Sequence, residues 1–204
     1  MDKDEAKERA EQLANVLNVE FYNDQMNEIR QGIYDGLPEE AVTIYADPKF
    51  NPDQMMQIRH GLEHGLTMEQ VAVYSHSIYS VGQMNQIRRG LEDGYTKEQV
   101  ALYADPKFTF DQMSQIRYGI EAGLTEDQIR LYADPRFRNG QMELILESFE
   151  NGLTEDQVKL LADPEFDDDQ MIGIRDGFKD GLTTDQVKLS GISARPYYRP
   201  GKGL

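Results

Sequence analysis

The sequence predicts an all-α protein: a solenoid of six αα-hairpin repeats with an N-terminal capping helix. Three observations predict it. The pair Gln-Met begins at Gln25, Gln54, Gln83, Gln112, Gln141 and Gln170, a step of 29 residues with no insertion. A glycine column keeps the same step, at Gly36, Gly65, Gly94, Gly123, Gly152 and Gly181. Between the two, apolar residues recur at helical spacing, as in Met55, Ile58 and Leu62. A fixed period of this length marks stacked supersecondary units, none of which buries its apolar face alone.

Each repeat reads as two helices. In the second, Asn51 is a good N-cap and Pro52 takes the first helical position, where its missing N–H costs nothing. Ile29, Ile58, Ile87, Ile116, Ile145 and Ile174 continue the apolar face. Gly65 ends this helix A as a left-handed C-cap. Thr67 and Gln70 then form a capping box for helix B, repeated as Thr96/Gln99, Thr125/Gln128, Thr154/Gln157 and Thr183/Gln186. Val71 and Tyr74 mark its apolar face, and Pro48, Pro106, Pro135 and Pro164 stop it in their repeats. Helix A should span about 12 residues and helix B about 9 or 10, too short to stand alone in water.

Three segments follow. Residues 1–20 form the capping helix, a lone helix B in which Leu13 and Val16 align with Val42 and Tyr45. Asp4, Lys7, Glu8 and Glu11 give it a polar outer face. Residues 21–190 hold the six repeats as one solenoid domain. Residues 191–204 are a Gly- and Pro-rich basic tail carrying Arg195, Arg199 and Lys202.

Composition narrows the function classes. The chain has 204 residues, 37 acidic and 21 basic, for a net charge of −16. Direct binding to nucleic-acid phosphate needs a basic surface and is not expected. The absence of cysteine removes disulfides, thiolate zinc sites and cysteine nucleophiles. The charged start and the lack of a long apolar run predict neither signal peptide nor membrane span, hence a cytoplasmic protein.

Several strings invite a chemical reading. His60-Gly61-Leu62-Glu63-His64 matches H-x-x-E-H, an inverted zinc-protease pattern, with both histidines on one helix face. Gly61, Leu62 and Glu63 are repeat consensus, however, and the histidine columns vary freely elsewhere, so surface histidines are the simpler reading. The run Asp163, Glu165, Asp167, Asp168, Asp169 resembles a calcium loop but puts Asp168 where the sharp turn needs Gly, and Ile174 where the bidentate Glu belongs. No catalytic residue, metal or cofactor is expected.

The arginine column Arg30, Arg59, Arg88, Arg117, Arg175 is expected to pair within the array with the aspartate column Asp47, Asp105, Asp134, Asp163. Each Gln before Met should bond the backbone of inter-repeat turns. The helix-A glycines Gly32, Gly61, Gly90, Gly119 and Gly177 need a packing reason, such as close approach of a neighbouring helix. The methionine column reads as core. The tyrosine column Tyr45, Tyr74, Tyr103, Tyr132 suits either a half-buried layer or a recognition surface.

Through its recurring Y-A-D-P-x-F and Q-M-x-x-I-R-x-G-L blocks, residues 21–189 resemble short tandem helical repeats of phage and integrative-element proteins of Firmicutes. The resemblance implies an αα-hairpin array and a mobile-element origin. Repeat 2 departs with Ser75-His76-Ser77-Ile78-Tyr79, and repeat 5 with Leu146 and Ser148 in place of Arg and Gly.

The expected function is binding rather than catalysis. Charge is uneven: residues 138–194 carry 13 acidic and 5 basic side chains. The candidate partner-binding residues are Glu143, Glu147, Glu150, Asp156, Asp168, Asp169, Asp176 and Asp180. The expected partner is a protein with a basic surface or a nucleic-acid-binding cleft. With the resemblance, this suggests an inhibitor of a host defence nuclease, of anti-CRISPR or anti-restriction type. Two alternatives stand beside it: a structural or adaptor repeat protein, and a metal-dependent hydrolase at His60 and His64.

Overall fold

The computed structural model describes residues 1–189. Among them the regular structure is helical throughout, with thirteen helices and no strand. The tail at 191–204 lies outside the described residues. No helix among the described residues is long and apolar enough to cross a membrane.

The chain divides into two compact units, Met1–Pro106 and Lys107–Leu204. The first holds α1 (Lys3–Leu17), α2 (Asn23–Tyr34), α3 (Glu39–Val42), α4 (Pro52–Glu63), α5 (Met68–Val71), α6 (Val81–Glu92) and α7 (Lys97–Ala101). Its long helices pack in succession, α1 on α2, α2 on α4 and α4 on α6. The second holds α8 (Phe110–Glu121), α9 (Glu126–Arg130), α10 (Asn139–Glu150), α11 (Glu155–Leu161), α12 (Asp168–Lys179) and α13 (Thr184–Leu189). There α8 packs on α10 and α10 on α12.

Helix A is 12 residues long in every repeat. Its start is a reciprocal cap. Asn51 Oδ1 accepts the Gln54 N–H at 2.9 Å, and Gln54 Oε1 accepts the Asn51 N–H at 3.0 Å. Ser80, Thr109 and Asp167 do the same for α6, α8 and α12. Its end is a Schellman turn: Leu37 N–H donates to Gly32 O and Gly36 N–H to Ile33 O, with Gly36 at φ 90°. The five equivalent glycines have φ between 79° and 89°.

The same glutamines tie one repeat to the next. Gln54 Nε2 donates to Ser77 O at 3.3 Å and Tyr79 O at 2.8 Å, 23 and 25 residues ahead. Gln25, Gln112 and Gln141 make the equivalent pairs of bonds to Pro48/Phe50, Pro135/Phe137 and Pro164/Phe166. One side chain therefore caps its own helix and satisfies two carbonyls of the following turn. Repeat 2 lacks the Asp-Pro-x-Phe sequence yet keeps this geometry, because the acceptors are backbone atoms. Tyr79 stays buried in the phenylalanine column and donates its hydroxyl to Ala104 O at 2.8 Å.

Helix B is shorter than the sequence predicts, with 4 to 7 residues as α-helix. After one turn the backbone tightens to three-residue bonds, as in Ile44 N–H to Ala41 O and Tyr45 N–H to Val42 O, before the Asp-Pro turn. The capping helix differs as well. α1 runs 15 residues and buries Ala6, Ala10 and Leu13 against α2, but Val16 is 77 % exposed. Without the tightened turn, Val16 does not reach the place Tyr45 holds.

The core is the column set. Met55, Met84, Met113 and Met142 are fully buried with Ile29, Ile58, Ile87, Ile116, Ile145 and Ile174; Met26 is half-buried. The tyrosine column is core too: Tyr45, Tyr74, Tyr103 and Tyr132 are fully buried, so it offers no recognition surface. Burial pushes the phenols of Tyr45, Tyr74 and Tyr132 well above the usual tyrosine range.

Candidate functional site

Within the second unit, α8 and α10 leave a groove of about 460 Å³ between them. Glu143, Leu146, Glu147 and Glu150 line it from α10, at the spacing that puts residues on one helix face. Gln115, Tyr118 and Glu121 line it from α8, with Ala122 at that helix's C-cap. Leu146 is buried, whereas Tyr118 stands half out in solvent at 51 % exposure. Glu121, Glu143 and Glu150 are exposed and have no ion-pair partner among the described residues. Like charges at these spacings repel, and among the described residues only Arg175, at 3.1 Å from Glu147, offsets them.

The acidity has a specific origin. In repeats 2, 3 and 6 the helix-A arginine neutralises carboxylates of its own unit. Arg59 donates from Nε to Glu28 at 3.0 Å and from Nη1 to Glu63, four residues on, at 2.6 Å. Burial would weaken that cation, but the two carboxylates outweigh it and raise the guanidinium's pKa. Arg88 meets Glu92 at 2.5 Å and Gln57 at 3.1 Å, and Arg175 meets Glu147 at 3.1 Å. Repeat 5 has Leu146 in that column and no guanidinium to offer Glu150.

These pairs correct the expected ladder. Arg59, Arg88 and Arg175 meet glutamates of their own or the adjacent helix A, not the aspartates before proline. Asp47, Asp134 and Asp163 instead accept the backbone N–H two residues on, at 3.0, 2.9 and 3.0 Å, and so brace the turn around the proline. Asp47 and Asp134 also pair with the basic side chain at that position, Lys49 and Arg136. Hydrogen bonds from Arg136 lower the Asp134 pKa.

The eight candidate residues separate. Glu143, Glu147 and Glu150 converge on the groove. Asp168 is exposed and held by Arg138 at 2.8 Å, and Asp176 is exposed beside Arg175 at 3.2 Å. Asp180 is the C-cap of α12, Asp169 lies in its first turn, and Asp156 is in the first turn of α11. The sequence reading missed Glu121 and Tyr118. Their signal was present, since Glu63, Glu92, Glu121 and Glu150 form one column and Tyr118 stands where His60 and Arg89 stand.

The histidines sit differently. The rings of His60 and His64 are stacked on α4, 6.1 Å apart, and His64 Nδ1 lies 2.8 Å from Glu92 Oε1. Partial burial, then the charge of Arg59, lowers the His60 pKa. Arg88 is a further nearby charge opposing a cation there. Among the described residues no three His, Asp or Glu side chains gather as a metal-ligand set.

No family model, characterised protein or solved structure matches the chain.

Proposed function

We propose that this is a non-catalytic, protein-binding helical-repeat protein whose acidic C-terminal half engages a basic surface of its partner. The observation that carries this reading is the groove between α8 and α10, where Glu121, Glu143 and Glu150 stand exposed with no ion pair among the described residues. A polypeptide that neutralises glutamates with arginine in some repeats, and leaves those around this groove without such a pair among the described residues, has a surface that gains by meeting a cation. The exposed acids of α11 and α12 extend the negative field that would steer such a partner. The unbroken 29-residue step supports one continuous six-hairpin solenoid capped by α1. In the mobile-element setting that the repeats resemble, the partner is a host defence nuclease, and the carboxylates fill its nucleic-acid channel as phosphates would.

The test is affinity capture from host lysate at low and high salt, with double-stranded DNA as competitor. The control carries Glu147→Gln, Glu150→Gln, Asp176→Asn and Asp180→Asn. The expected partner is a nuclease held by the parent, released by salt and by DNA, and bound about tenfold or more weakly by the control, since many weak surface pairs act together. Equal retention by parent and control, unaffected by salt, overturns the reading.

A further inference from the structure

Leu146 is the exception in a column that otherwise reads Arg30, Arg59, Arg88, Arg117 and Arg175. In two of those repeats the guanidinium stands over the carboxylate four residues on, Arg59 over Glu63 at 2.6 Å and Arg88 over Glu92 at 2.5 Å. Glu121, four residues after Arg117, is left without an ion pair among the described residues and lines the same groove as Glu150. Arg59 and Arg88 are nearly buried, at 8 % and 7 % exposure, so their stems pack along the helix-A face. In repeat 5 the carboxylate is kept, as Glu150, and the arginine is not. What remains is the groove, with a buried aliphatic floor at Leu146, a half-exposed aromatic ring at Tyr118, and the carboxylates of Glu121, Glu143, Glu147 and Glu150 around it.

We propose that the groove between α8 and α10 receives an arginine side chain supplied by the partner protein. The incoming guanidinium takes the place beside Glu150 that Arg59 and Arg88 take beside Glu63 and Glu92 within their own repeats. Its aliphatic stem lies on Leu146 and Ala122, and its flat face meets Tyr118. Arginine fits this combination better than lysine. Its planar fork can bond two carboxylates at once and stack on an aromatic ring, while an ammonium is a compact and strongly hydrated point charge. The proposal rests on the reading that the acidic half binds a basic protein, and narrows it to one residue type in one groove.

The test uses the full chain and two labelled probes, a hexa-arginine and a hexa-lysine peptide, with binding followed by fluorescence anisotropy at physiological salt. The parent should prefer hexa-arginine by about fivefold or more, reflecting fork geometry and stacking rather than charge. Leu146→Arg restores the column and fills the groove from within, so it should weaken hexa-arginine binding by about tenfold while leaving the melting temperature unchanged or higher. Leu189→Arg adds the same charge at an exposed position of α13 and should change binding less than about twofold. Tyr118→Ala and Glu150→Gln, both at exposed positions, should bring the arginine-to-lysine ratio toward one, and they keep the test valid if Leu146→Arg does not fold. Equal affinity for the two peptides, with Leu146→Arg behaving as Leu189→Arg, overturns the arginine receptor and leaves the broader acidic-surface reading standing. A parent that binds neither peptide overturns both.

Discussion

The hydroxyl of Tyr74 fills the space that a β-carbon on Gly61 would need. A Cβ built there would lie 2.0 Å from the hydroxyl oxygen and 3.3 Å from Cζ. The phenol donates to Gln57 O at 3.3 Å, so it lies against the backbone of α4 and cannot withdraw without losing its partner. Gly32 with Tyr45, and Gly119 with Tyr132, repeat the arrangement at 1.9 Å. Repeat 5 changes both columns together, to Ser148 and Leu161, both fully buried.

This relationship predicts strong coupling. Gly61→Ala should destabilise the protein by about 1–3 kcal/mol, because overpacking outweighs the gain in helix propensity. Gly61→Ser combined with Tyr74→Leu copies repeat 5 and should recover part of that loss. A double-mutant cycle in urea checks it. Strictly additive effects would show that the two side chains do not compete for one space.

Gln112 predicts a second measurable loss. Its amide donates to Pro135 O at 3.1 Å and Phe137 O at 2.6 Å, and its carbonyl accepts the Thr109 N–H at 2.8 Å. Gln112→Ala should cost about 2–3 kcal/mol, since buried backbone groups lose their partners. Gln112→Glu should do no better, because a carboxylate facing two carbonyls cannot donate. A urea midpoint unchanged in both variants would sink this account of how repeats are tied.

Alkaline pH should unfold the chain. Burial raises the phenol pKa of Tyr45, Tyr74 and Tyr132 in the folded state. The folded state then holds these protons more tightly than the unfolded state. The associated stability is intact below the unfolded value of about 10 and is lost as pH rises above it. Tyrosinate absorbance from these residues should appear together with loss of helical circular dichroism. Ionisation of all eleven tyrosines with the helices intact would contradict the buried column.

The sequence by itself determined the period, helix A and its two ends. Those features are encoded within a few residues: a Gln three after an N-cap, a glycine where φ must be positive, a proline after helix B. It also identified the glutamine column as a tie between repeats, because its position relative to the turns never varies. Helix B's true length was not legible, since the tightening after one turn follows from docking the tyrosine onto the preceding helix A.

Tertiary structure alone decided the rest. Arg59 reaches Glu28, 31 residues away, rather than an aspartate near a proline, because adjacent helix-A faces lie side by side while the aspartates bind their own turns. The tyrosines could have faced water or protein, and the glycines opposite them make the difference. The groove around Leu146 is likewise a property of packing. A missing arginine is a substitution in the chain, but it becomes an open acidic site only where two helices leave room beside it.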